Sequence, residues 1–168
     1  MNYFEIFDLP ISFLIQQTDL KAKYYTLSRK YHPDFFAQEN EIEKNKALEI
    51  SSQINKAYKT FQQSDETIKY VLQLKGLIDE EEKYQLSPGF LMDMMELNEN
   101  LEEAKSKDDI ELINTSKLSI NAIEKDNYLT VKSVIEGYLD GVTSYTDLLK
   151  VKEYYFKKKY LERILATM

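Results

Sequence analysis

Residues 20–34 read LKAKYYTLSRKYHPD, and the pattern in them decides the fold. Leu20, Tyr24, Leu27 and Tyr31 recur at i, i+4, i+7 and i+11, the spacing of one face of an amphipathic helix. Thr18 or Asp19 can cap its start, since a short side-chain oxygen accepts from the first free amides. The helix must stop near His32, because Pro33 disfavours the helical conformation in the residue before it. Pro33 has a fixed φ and no backbone donor, so it makes a sharp, preorganised exit. Asp34 then offers a carboxylate on an exposed loop, a geometry suited to a bidentate contact with an arginine of another protein. At about 100° per residue, Lys21, Tyr25 and Arg29 share the face turned away from the apolar stripe. That basic, aromatic face leads directly to His32.

The same periodicity runs outward in both directions. A short helix is expected from about Asn2 to Asp8, stopped by Pro10. A third helix, Glu41 to Gln62, carries Ala47, Ile50, Ile54, Ala57 and Phe61 at spacings that give a seam for antiparallel packing. A fourth, Asp65 to Lys75, ends at Gly76, a C-cap residue type. The acidic stretch that follows holds Pro88 and Gly89, so 77–89 is expected as a linker. Beyond it the spacing predicts helices over Phe90 to Lys105, Asp109 to Leu139 and Thr146 to Leu165, broken at Ser106–Asp108 and at Asp140-Gly141. Short connections favour antiparallel neighbours, so a C-terminal three-helix bundle is expected over 90–168, following an N-terminal domain over 1–76. The fold class is all-α.

Composition narrows the function. Acids exceed bases by 29 to 22, a net charge of −7 that disfavours nucleic acid as the main partner. Cysteine is absent, which removes thiolate chemistry and Cys-ligated metal. The chain has one histidine, and His32 and Asp34 flank a proline, a poor arrangement for an oriented catalytic dyad. Glu80-Glu81-Glu82 lacks a histidine partner and fits a solvated linker better than a metal site. No Gly-rich phosphate loop occurs, and Ser51, Ser52 and Lys56 sit on a helix without a base. The expectation is a protein that is not an enzyme and holds no cofactor or metal. Met1 to Leu9 lacks the basic region and apolar run of a secretory signal, and no stretch approaches a membrane span. A soluble, intracellular protein without a membrane partner is expected.

The fifth helix carries more than a core. Phe90, Met94, Leu97, Leu101 and Ala104 form its stripe. Met92 and Met95 fall near the opposite face beside Glu96, Glu99 and Glu103, with Leu91 on the flank. Methionine is flexible and polarizable, which suits a surface that must fit a partner, and the glutamates form a rim able to meet basic residues. The alternative is that both methionines pack against the N-terminal domain or the next helix. In the last helix Val151, Tyr154, Leu161 and Leu165 fit the core, while Leu149, Phe156 and Tyr160 lie elsewhere.

Particular residues carry a family resemblance. Asn2-Tyr3-Phe4-Glu5-Ile6-Phe7-Asp8-Leu9-Pro10, Tyr31-His32-Pro33-Asp34 and Ile54-Asn55-Lys56-Ala57-Tyr58 occur in J-domain order and spacing. Tyr70 to Gly76 and Phe90 to Leu97 resemble the HscB family of J-domain co-chaperones, and Val151 to Ile164 resembles its last helix more loosely. The sequence departs from the family pattern at Phe35, where a lysine often follows the triplet, and at Gln63-Ser64-Asp65, which lacks the proline common there. The resemblance implies an L-shaped arrangement of a J-domain, a helical hairpin with its HPD loop, and a C-terminal scaffold-binding bundle. It implies that Lys21, Tyr25, Arg29, His32, Pro33 and Asp34 engage a heat-shock ATPase chaperone of the HscA type. It likewise implies that Leu91, Met92, Met95, Glu96, Glu99 and Glu103 hold an iron–sulfur cluster scaffold protein of the IscU type. Phe156 either joins that surface or seals the junction between the domains. A bacterial cytoplasm is the expected location. The competing readings are a generic J-protein delivering unfolded clients, with a broad hydrophobic groove, and a helical adaptor without chaperone activity.

Overall fold

The computed structural model describes residues 1–167, which form helices and turns with no strand among the described residues. Four helices come first: α1 (Tyr3–Ile6), α2 (Gln17–Lys30), α3 (Glu41–Phe61) and α4 (Ser64–Leu74), with a 3-10 turn, Pro33–Phe36, between α2 and α3. Then follow α5 (Pro88–Ser106), α6 (Ile110–Leu129), α7 (Lys132–Glu136) and α8 (Tyr145–Ala166). The chain divides into two compact units, one of Met1–Leu74 with Tyr138–Val142, the other of Lys75–Gly137 with Thr143 onward.

In the first unit α2 packs along α3, with α1 and α4 also against α3. Asn2 opens α1 with a reciprocal capping box: its Oδ1 accepts the Glu5 amide and Glu5 Oε2 accepts the Asn2 amide, each at 2.9 Å. That short turn aims Phe4 and Phe7 inward, where both are buried and meet the Phe61 ring at 4.7 and 6.0 Å between centroids. Tyr3 stacks on Tyr70 at 4.4 Å, and the Tyr70 oxygen accepts the Tyr3 amide at 2.9 Å. Burial pushes the Tyr70 phenol above its usual range. Helix α1 stops earlier than Pro10 requires, because Asp8 turns left-handed at φ 49. Lys23 of α2 donates to the Asp8 carbonyl at 2.7 Å and fixes that turn.

Helix α2 starts one residue before the expected caps. Gln16 is its N-cap and makes no side-chain bond, so Thr18 and Asp19 lie inside the first turn, where Asp19 still complements the helix dipole. Leu20 is fully buried, and Tyr24 stacks flat on Tyr58 at 3.9 Å while donating to Asn55 Oδ1 at 2.9 Å. On α3 the seam is carried by Ala47, Ile54, Ala57 and Phe61, whereas Ile50 stays at the surface. The tight passage into α4 is held by buried Thr67, whose hydroxyl donates to the carbonyls of Thr60 (3.2 Å) and Gln63 (2.9 Å). No proline is needed there.

Gly76 follows α4 at φ +71, with nothing within 4 Å of the place a Cβ would occupy. Gly76→Ala therefore costs only backbone strain, expected at about 1–2 kcal/mol. Gly76→Asn is expected to lose less in the same thermal unfolding measurement, since Asn enters this region more readily.

In the second unit Ser87 caps α5 with Pro88 in its first turn, and Asp109 caps α6, accepting the Leu112 amide at 3.1 Å. Helix α6 packs against both α5 and α8. One core gathers Met94, Leu101, Ile120, Leu161 and Ile164, with Phe90, Leu97, Ile123, Tyr160 and Leu165 packed on it. Tyr160, expected away from the core, is thus part of its wall and meets Phe90 edge-on at 5.9 Å. The expected single helix from Asp109 to Leu139 is two helices. At the break the Thr130 hydroxyl donates back to the Asn127 carbonyl at 2.6 Å, and Val131 leaves helical geometry at φ −122, ψ 0 while fully buried. Tyr138–Val142 then belongs to the first unit, where the Tyr138 ring meets buried Phe13 at 5.0 Å. Burial, together with donation to Asp140 Oδ1 at 2.8 Å, keeps the Tyr138 phenol protonated well above its ordinary range.

Candidate functional site

The loop after α2 is built by local bonds. The Tyr31 amide still bonds the Leu27 carbonyl at 3.1 Å, and then His32 goes extended at φ −63, ψ 131. Pro33 opens the 3-10 turn, closed by the Phe35 amide on the His32 carbonyl at 3.0 Å. His32 Nδ1 accepts the Asp34 amide at 3.3 Å. Its distance to Asp34 Oδ2 is 3.6 Å, too long for a hydrogen bond, so the carboxylate is left to the outside. The Asp34 side chain is 90% exposed and that of His32 51%. Lys21, Tyr25 and Arg29 are exposed on α2, as their spacing requires. Phe35 is exposed as well, its ring edge-on to His32 at 6.3 Å. The arrangement displays an acid beside a cationic helix and encloses no reaction chamber.

The second face lies on α5. Met92 and Met95 are 69% and 58% exposed. Glu96, Glu99 and Glu103 share their side of the helix and are exposed, and Leu91 is half-buried. Glu103 accepts from Lys107 at 2.7 Å. That bond and the ammonium charge lower the Glu103 carboxyl pKa, and the same bond and the carboxylate charge raise that of Lys107. Glu96 and Glu99 make no ion pair with a described residue.

Phe156 of α8 is half-buried within the second unit. It stacks on Tyr84 at 4.6 Å and 9°, with Tyr155 edge-on at 5.3 Å. Sequence periodicity did not single out Tyr84, since it lies outside any helix; an aromatic within the acidic stretch was its only signal. Of the three glutamates there, Glu80 and Glu81 are exposed and Glu82 pairs with Lys152 at 2.6 Å. No cluster of three metal-ligating side chains occurs among the described residues, and none of their helices is long and apolar enough to cross a membrane.

What the geometry offers is two exposed surfaces, one on each unit, suited to contact with other macromolecules. Comparison with known proteins supplies the class. The model of the HSCB C-terminal oligomerisation domain matches residues 86–168. The co-chaperone protein HscB homolog of Vibrio cholerae serotype O1 (strain M66-2) is 41% identical over 103 residues, 61% of this chain and 60% of its own length. The human iron-sulfur cluster co-chaperone protein HscB is 32% identical over 167 residues, 97% of this chain and 65% of its own length. The crystal structure of human co-chaperone protein HscB superposes with a TM-score of 0.77 at 30% identity, covering 99% of this chain and 80% of that one. The chain thus spans about two thirds or less of the length of these two curated relatives. This chain belongs to the HscB co-chaperone family.

Proposed function

We propose that this protein is a co-chaperone of iron–sulfur cluster assembly that carries a scaffold protein to a heat-shock ATPase and stimulates ATP hydrolysis there. The observation that carries the reading is the Asp34 carboxylate, presented to solvent by a proline bend beside the cationic face of Lys21, Tyr25 and Arg29. His32 and Pro33 preorganise that loop, so little conformational entropy is lost when a partner arginine docks. The partner's two states differ in their contacts with this loop, which is what lets the loop bias an ATPase cycle without performing chemistry.

The other half of the role falls to Leu91, Met92, Met95, Glu96, Glu99 and Glu103, together with Phe156 of α8, as the scaffold-binding face. Adaptable apolar side chains rimmed by acids fit a partner surface that is apolar and basic. The name of the human relative, an iron-sulfur cluster co-chaperone, supports the choice of cargo. The domain division proposed is 1–76 for the J-domain, 77–89 for the connecting segment and 90–168 for the scaffold-binding domain, working in a bacterial cytoplasm.

A steady-state ATPase assay of the cognate chaperone tests the reading, with this protein and the scaffold added separately and together. Synergy is expected. Equal stimulation with and without scaffold would point to a generic J-protein instead.

A further inference from the structure

We propose that Tyr84 is a positioning residue for scaffold binding: with the Glu82–Lys152 ion pair it holds the Phe156 ring in one fixed plane. The inference rests on the reading that Phe156 belongs to the scaffold-binding face, and it adds the groups that orient it. The segment between α4 and α5 is non-helical and belongs to the second unit. Leu77 and Ile78 are each 5% exposed. Lys152 donates to Glu82 Oε1 at 2.6 Å with side chains only 13% and 25% exposed, and its ammonium also lies 5.5 Å from the centre of the Tyr84 ring. These contacts press Tyr84 flat against Phe156 at 4.6 Å, while Tyr155 closes one edge at 5.3 Å. Burial and the neighbouring Glu153 carboxylate raise the Tyr84 phenol pKa, so the stacked ring stays uncharged.

A phenylalanine without these neighbours turns freely and must be immobilised when a partner arrives, which costs about twofold to tenfold in affinity. Here the ring is already held. Tyr84 therefore acts through Phe156 and not by touching the scaffold.

Calorimetric titration of the full chain with the cognate apo scaffold provides the test. Tyr84→Ala is expected to weaken binding about threefold to tenfold, because a stacked aromatic pair is lost along with the ordering it gave. Tyr84→Phe keeps the ring and is expected to bind as the parent does. In a Phe156→Ala background, Tyr84→Ala should have no further effect. Should Tyr84→Ala prove too unstable, Tyr84→Leu, which keeps apolar cover without a flat stack, is run through the same cycle. An unchanged affinity, or an equal loss with and without Phe156, overturns the proposal. If Met92→Ala with Met95→Ala leaves binding intact, the scaffold-face reading itself fails. A silent Tyr84→Ala beside an impaired methionine double variant sinks only the positioning role.

Discussion

Asp34→Asn is expected to abolish stimulation of the partner ATPase while leaving the fold untouched. The substitution preserves size and removes the charge that an arginine fork would grip. Truncating or neutralising one member of a desolvated, hydrogen-bonded charge pair costs about 2–5 kcal/mol, most of it from the partner charge left unmatched. The stability cost is a separate quantity. With the side chain 90% exposed and its backbone amide, not its carboxylate, bonded to His32, the change should stay within about 0.5 kcal/mol. Single-turnover ATP hydrolysis by the chaperone and thermal unfolding of this protein separate the two. Stimulation at the parent's level would remove the docking role from the loop.

The second large effect is expected from Met92→Ala combined with Met95→Ala. Interface truncations that matter cost more than about 1 kcal/mol each, so together they should weaken scaffold binding about tenfold to a hundredfold. Both side chains are mostly in solvent, so thermal stability should barely move. Leu101→Ala, on the buried face of the same helix, gives the contrast: it should cost about 2–5 kcal/mol of stability. A methionine double variant that unfolds as Leu101→Ala does would mark Met92 and Met95 as core residues. Low pH offers a further handle on this face, since the lowered Glu103 carboxyl keeps its charge, and its bond to Lys107, to more acid conditions than an isolated glutamate would.

Helix α3 was legible almost to the residue, Glu41–Phe61 against an expected Glu41 to Gln62, because Asn40 caps it and a long regular stripe runs through it. The core stripe of α5 was legible in the spacing, but spacing alone left open whether Met92 and Met95 pack against the N-terminal domain or the next helix; both are exposed. Helix α6 misled because the apolar spacing runs on through buried Val131, where the backbone leaves helical geometry; periodicity reports which face is apolar, not whether each turn closes. Tyr160 was misplaced because its wall is completed by Phe90, a long-range partner that spacing within α8 does not reveal. The stack of Tyr84 on Phe156 is hidden for the same cause, a contact between residues 72 positions apart, one of them in non-helical chain.

The excursion of Tyr138–Val142 into the first unit has a practical consequence for dissection. A single cut near residue 76 is expected to uncover Phe13, 1% exposed in the whole chain, because it removes the Tyr138 ring that meets it. The amino-terminal half is assembled from two pieces of polypeptide synthesised some sixty residues apart, so its second piece is made only after the whole of α5, α6 and α7.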